Sequence, residues 1–309
     1  MRAFLQYLLA YLRSTSRPAL LITTLFVAAL ITANYTFGIE RHILAFGPWY
    51  VTFAGFFLFY GIVIAAVWGL QYEWSGGPRF FQPRLVILLL LAPLFFAAKM
   101  VHWDLSPLLP AASPWNHYWL IVLQLPAKLL LLFGLLFACR KTGLLEEGGL
   151  RSVGLTTRGF DARPYFLLLL LLVPVVALAA TRPDFLHVYP KVKNVAFIDG
   201  YASPVWPWKL GYELSYGLDF LSIELFFRGL LVIGLVRYAG EQAILPMAAF
   251  YCTIHFGKPL GECISSYFGG MVLGVLAYRT RSILGGLTVH LGLAWMMELG
   301  GWLGHSWPG

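Results

Sequence analysis

Long apolar runs alternate with short polar connections along this chain, and the runs have the length of bilayer crossings. A helix needs about 20 apolar residues to cross hydrocarbon, and stretches of that kind lie near residues 18–38, 49–71, 85–102, 118–138, 164–181, 212–236, 243–257, 263–278 and 282–304. The seventh and eighth are short and carry polar side chains, so the pattern predicts an all-α integral membrane protein, a bundle of eight or nine transmembrane helices. The opening stretch, residues 1–13, is too short to span and has Arg2 and Arg13 near its ends. Arg17 and a longer apolar run follow without a cleavage site, so an interfacial helix leading into an uncleaved anchor is expected in preference to a signal peptide. Residues 182–211 form the largest connection, where Pro183, Pro190, Pro204 and Pro207 argue against a long helix. Its Trp206, Trp208, Tyr201 and Tyr212 suit an interfacial aromatic belt. Residues 140–163 read as a solvated connection.

Composition agrees with the pattern. Only 12% of the 309 residues are charged and 59% are hydrophobic, against roughly a quarter and a half in soluble domains. A soluble fold could not cover its surface with so few charges, and an ordinary cytosolic enzyme and a disordered scaffold are excluded. The net charge of +8 reports orientation, not a nucleic-acid partner. With the N-terminus inside, the cytoplasmic segments hold 13 Lys and Arg, including Arg13, Arg17, Arg79, Arg237, Arg279 and Arg281, and the opposite side seven. Cys139, Cys252 and Cys263 lie in or beside apolar runs and make no disulfide framework.

Charged side chains in hydrocarbon cost at least about 2.5–3.5 kcal/mol each, so each asks for a reason. The first five runs contain almost none apart from Lys128, which reads as a snorkelling or carbonyl-paired lysine. The last four contain Asp219, Glu224, Arg228, His255, His290 and Glu298, with Lys258 and Glu262 at an edge. Glu224 and Arg228 stand four apart and share a helix face. Counted from the cytoplasmic ends at 1.5 Å per residue, Glu224 and His255 lie about 20 Å in and His290 about 13 Å in. A carboxylate and two imidazoles on three helices at comparable depth suggest a site. The carboxylate can act as general base toward water, and imidazoles can orient that water or donate to an oxyanion. Together they describe amide hydrolysis without a covalent intermediate. Glu262 and Glu298 have plainer readings, a surface pair with Lys258 and an interfacial carboxylate. Gly270 and Gly274 are spaced to let the eighth run approach a neighbour closely.

The segments ELFFRG (Glu224–Gly229), AAFYCTIHFGKP containing His255, and GGLTVH ending at His290 resemble the CAAX-protease and bacteriocin-processing family (CPBP, or Abi) of intramembrane glutamic endopeptidases. The resemblance covers about residues 212–300, so residues 206–304 are expected to form the protease-like core and residues 1–205 to supply generic crossings and the long loop. It implies catalytic roles for Glu224, Arg228, His255 and His290; Glu262, seven residues after His255 and past the break at Gly257 and Pro259, is an auxiliary candidate on its position in the chain, not on the resemblance. The resemblance also implies a membrane-associated peptide or protein substrate, lipidated in some relatives, and no cofactor or metal. Three positions depart from the family pattern: Ile223 where the first of two glutamates falls, Tyr251 for a Phe, and Ala294 for an Asn. The compact chain and the resemblance favour a bacterial plasma membrane.

Other classes compete with this reading. A zinc protease would want His-Glu-x-x-His or a comparable set, which is not present. Two histidines could clamp a haem. The replacements at Ile223 and Ala294 motivate a catalytically inactive relative that binds peptides or partner membrane proteins. A transporter pathway would favour repeat symmetry, and none is seen.

Overall fold

A computed structural model describes residues 2–45, 47–76, 82–109, 113–158 and 160–306, and among the described residues it is helical with no strand. Arg79 of the basic count lies outside them. The helices are α1 (Arg2–Ser14), α2 (Arg17–Phe37), α3 (Ile39–Leu44), α4 (Trp49–Gln71), α5 (Pro83–Met100), α6 (Pro114–Lys141) and α7 (Arg163–Ala179). There follow α8 (Pro183–Val188), α9 (Trp206–Glu224), α10 (Val236–Ala239), α11 (Ile244–Thr253), α12 (Leu260–Thr280) and α13 (Leu284–Ser306). A π-helical stretch, Leu225–Ile233, continues α9.

Among the described residues five helical segments are long and apolar enough to cross a membrane: Arg17–Phe37, Trp49–Trp74, Pro83–Met100, Trp115–Lys141 and Leu260–Thr280. The seventh expected crossing is the ten-residue α11, only about 15 Å long, followed by a turn. The eighth is not short: α12 runs 21 residues. Its polar Glu262, Cys263, Ser265 and Ser266 masked its start in the hydropathy pattern, yet they occupy its first turns, where backbone bonding needs no apolar side chain. Pro259 at its N-cap and Arg281 in the left-handed region at its C-cap set its ends.

The chain divides into two compact units. The first takes Met1–His102, Leu136–Phe160 and Leu225–Gly286, the second Trp103–Leu135, Asp161–Glu224 and Leu287–Gly309.

In the first unit α11 packs against α12, α4, α2 and the π-helical stretch. The core there includes Val27, Ile31, Val67, Ala248, Cys252 and Tyr267. A Cβ at Gly270 would come 2.9 Å from Tyr251 Cδ1, and one at Gly274 would come 2.5 Å from Met247 Cε. These two glycines are what let α12 lie this close to α11. Residues 140–158 hold their charged side chains exposed, as a solvated connection would, but some of their apolar positions pack inward. Leu144, Leu145 and Val153 are buried, the Ile283 N–H donates to Gly154 O at 2.9 Å, and the Ser282 hydroxyl donates to Thr156 O at 2.9 Å. Gly154, at φ +79, lies where a Cβ would fall 2.4 Å from Ile233 Cδ1, so the glycines turn the segment's leucines inward.

In the second unit Tyr118 and Val122 of α6 pack with Val195, Ile198 and Tyr212. The Tyr118 hydroxyl donates to Trp208 O at 2.8 Å, and the Ser215 hydroxyl donates to Val122 O at 2.5 Å. The proline-rich connection folds as α8 and a 3-10 run, Lys191–Gly200. Its anchor is Glu298, expected as an interfacial carboxylate but 9% exposed. That carboxylate accepts the backbone N–H of Lys191 at 2.7 Å and of Val192 at 3.0 Å.

Candidate functional site

The second unit holds the shortest acid–base contact of the expected residues. Glu224, the last residue of α9, is 0% exposed, and a buried carboxylate persists only with a partner. Its partner is His290 of α13, with Oε1 and Nδ1 2.6 Å apart, the length of a charge-assisted hydrogen bond. The two groups face one another as a close acid–base ion pair, outside the geometry of an aligned hydrogen bond. Phe220, one turn before Glu224 on the same face of α9, sets its ring 5.7 Å from the imidazole. Gly217, a turn earlier, faces α13 with room to spare, since a Cβ there would make only an ordinary 3.4 Å contact with Leu291 Cδ2. His290 is the more accessible member of the pair, at 9% exposure.

The first unit holds the other two matched residues. Arg228 lies in the π-helical stretch, a rare geometry that recurs at functional positions, and is wholly buried. Its guanidinium stands 4.3 Å from the centroid of the Tyr251 ring, within range of a cation–π contact. Tyr251 in turn meets the His255 ring edge to face at 4.7 Å. The His255 Nδ1 lies 3.0 Å from Tyr251 O and donates to it, because a carbonyl can only accept. His255 stands in the turn after α11, half-buried. Arg228, Tyr251 and His255 thus form one row, and Gly270 makes the room its central ring needs.

Of the sequence-predicted residues, Glu224 and His290 come together, and Arg228 and His255 are joined through Tyr251. Glu262 lies in the first turn of α12, where its carboxylate meets Lys258 Nζ at 3.3 Å, both partly exposed. Sequence reasoning treated Tyr251 only as a departure from a pattern. The signal for its role was present: it stands four residues before His255, on the same face. Glu213 was also passed over, and its carboxyl interacts with Glu298 and Trp295. Among the described residues no group of three or more His, Cys, Asp or Glu is arranged to hold a metal ion.

Residues 214–296 match a family model, that of the Rce1-like type II CAAX prenyl endopeptidases. The chain resembles that family. The matched span contains Glu224, Arg228, Tyr251, His255 and His290, the residues whose geometry is described above. No curated protein and no solved structure matches the chain. The Rce1-like match and the apolar helices support an integral membrane protein with the character of a protease at family level.

Proposed function

We propose that the chain is an intramembrane endopeptidase that hydrolyses a peptide bond of a membrane-associated, in some cases lipidated, protein or peptide. The observation that carries the reading is the 2.6 Å contact between Glu224 and His290. In the proposed reaction the Glu224–His290 pair takes a proton from water as the water oxygen bonds to the scissile carbonyl carbon. The carbonyl π electrons move to its oxygen and form an oxyanion. Collapse of this intermediate breaks the C–N bond as the pair returns the proton to the departing nitrogen, leaving a carboxylate and an amine. Arg228 and His255 are carried as further residues of the activity on their match to the family motif, and Glu262 as an auxiliary. The proposal includes eight or nine crossings, a cytoplasmic N-terminus and a bacterial plasma membrane, with residues 206–304 as the protease-like core.

The test is cleavage of a library of membrane-anchored peptides by the purified, reconstituted protein, alongside Glu224→Gln, His290→Ala, His255→Ala and Arg228→Gln. Loss of cleavage in the first two, with folding retained, is the expected result, and cleavage that survives both changes removes the assignment. A second reading, an inactive relative that binds membrane peptides, is favoured by Ile223 and Ala294, which are apolar and buried. Peptide capture without cleavage by the unmodified protein would select it.

A further inference from the structure

The first unit contains a polar cavity of about 620 Å³, remote in sequence from the residues of the proposed reaction. That volume falls in the range of small-ligand sites, roughly 300–1,000 Å³. It opens where helix ends gather: the end of α1, the start of α2, the end of α4, the turn after α10 and the end of α12. Two of its lining groups are polar and deeply buried: Gln71 is 1% exposed and Tyr11 2%. Gln71 Nε2 has no hydrogen-bond partner, so the cavity presents a buried N–H that an acceptor would satisfy, beside the Tyr11 hydroxyl, which interacts with Thr15. Burial pushes the Tyr11 phenol well above the ordinary tyrosine range, so it remains a donor.

The surrounding charge defines the acceptor. Ser16 lines the cavity and caps α2 by accepting the Ala19 N–H, and the positive end of that helix dipole faces this region. The hydroxyls of Ser14 and Thr15 already donate to Tyr11 O, at 3.0 and 2.7 Å. Tyr278 lines the cavity, and the guanidinium groups of Arg279 and Arg281 each stand 5.4 Å from its ring centroid. Glu241 answers only one of them, at 3.1 Å from Arg279. Arg13 and Arg17 flank the Ser14–Ser16 turn in sequence. Within the lining Arg279 and Glu241 offset one another, so the excess positive charge comes from Arg281 beside Tyr278 and from Arg13 and Arg17, next in sequence to lining residues.

We propose that this cavity binds the phosphate of a polyol phosphate ester, either free or as the headgroup of an anionic membrane lipid. Gln71, Tyr11 and the arginines on Tyr278 would meet the phosphate oxygens, as a guanidinium fork does well. The full-length protein in neutral detergent is titrated with glycerol 3-phosphate and with dihexanoyl phosphatidylglycerol, and binding is read by calorimetry, which needs no peptidase activity. Saturable binding of at least one is expected, weakened at least tenfold by Gln71→Leu and by Arg279→Gln. Arg281→Gln, at an exposed position, gives the same reading should Gln71→Leu fail to fold. Tighter binding of the lipid identifies a headgroup site, and binding of glycerol 3-phosphate alone identifies a soluble ester. Absence of binding to both, equal binding of dihexanoyl phosphatidylcholine, or binding unchanged in the folded variants overturns the proposal.

Discussion

Two carboxylates in the second unit are buried to a similar degree and do different things. Glu298 accepts two backbone N–H groups, from Lys191 and Val192, and so ties the 3-10 run to α13. Those donors are fixed and never release a proton, so the carboxylate there is a clamp, although the Glu213 carboxyl also meets it. Glu224 meets an imidazole instead, a side chain able to act as an acid or a base. Burial alone did not separate the two; the chemistry of the partner does. A charged residue inside an apolar bundle marks a cost that something offsets, and only the partner says whether the offset is structural or chemical.

The largest effect should come from breaking the chemical member of the comparison. Glu224→Gln keeps the side chain's shape and its place beside His290 but removes the base, so cleavage should fall by about 10²–10⁴-fold, the usual worth of a positioned base. Thermal unfolding in the same detergent should show the variant folded. His290→Ala should lose activity on a similar scale. The structural member should behave in the opposite way. Glu298→Ala strands two backbone donors that were bonded to a charged group, at a cost of roughly 2–4 kcal/mol, measured by denaturant unfolding. Cleavage per folded molecule should stay within about twofold, since Glu298 lies more than two helical turns along α13 from His290. Loss of cleavage in a folded Glu298→Ala protein would erase the distinction.

The helical class and most of the crossings were legible in the apolar runs, because a bilayer imposes one length on every crossing. What periodicity could not show was where the chain turns for reasons other than polarity. The ten residues of α11 read as a crossing because Ile254 and Phe256 extend the apolar run past the turn, and α12 read as short because serines and Glu262 begin it. The packed segment 140–158 looked solvated because its charges are conspicuous and its buried Leu144, Leu145 and Val153 are few. At the site, Glu224, Arg228, His255 and His290 were legible from cost and spacing. The pairing of Glu224 with His290 was not, since residues 66 apart in the chain reveal no contact by spacing. Tyr251 stayed hidden because an aromatic residue in an apolar helix carries no cost that would draw notice. Its place between Arg228 and His255 predicts that Tyr251→Leu, which removes the ring, weakens the row by about 0.5–2 kcal/mol in unfolding measurements.

Two glycines sharpen the same contrast on a smaller scale. Gly301, three residues after Glu298, lets α13 pass the connection that Glu298 holds: a Cβ there would lie 2.6 Å from both Pro190 N and Tyr189 C. These are backbone atoms of a tethered segment and cannot swing aside as a side chain would. Gly301→Ala should therefore cost about 1–3 kcal/mol from overpacking, less whatever the helix gains from losing a glycine. Gly217 stands two turns before Glu224, where α9 meets α13 near His290, and its Cβ would lie 3.4 Å from Leu291 Cδ2 and 3.9 Å from Trp295 Cζ2. Those are ordinary contacts with side-chain ends. Alanine in a helix interior is better than glycine by about 1 kcal/mol, so Gly217→Ala should be neutral or stabilising by up to ~1 kcal/mol, with cleavage unchanged. Thermal unfolding of the two alanine variants side by side reads the difference directly. A destabilised Gly217→Ala protein would mean that α9 and α13 are packed as tightly near the proposed catalytic pair as α13 is packed at the clamp.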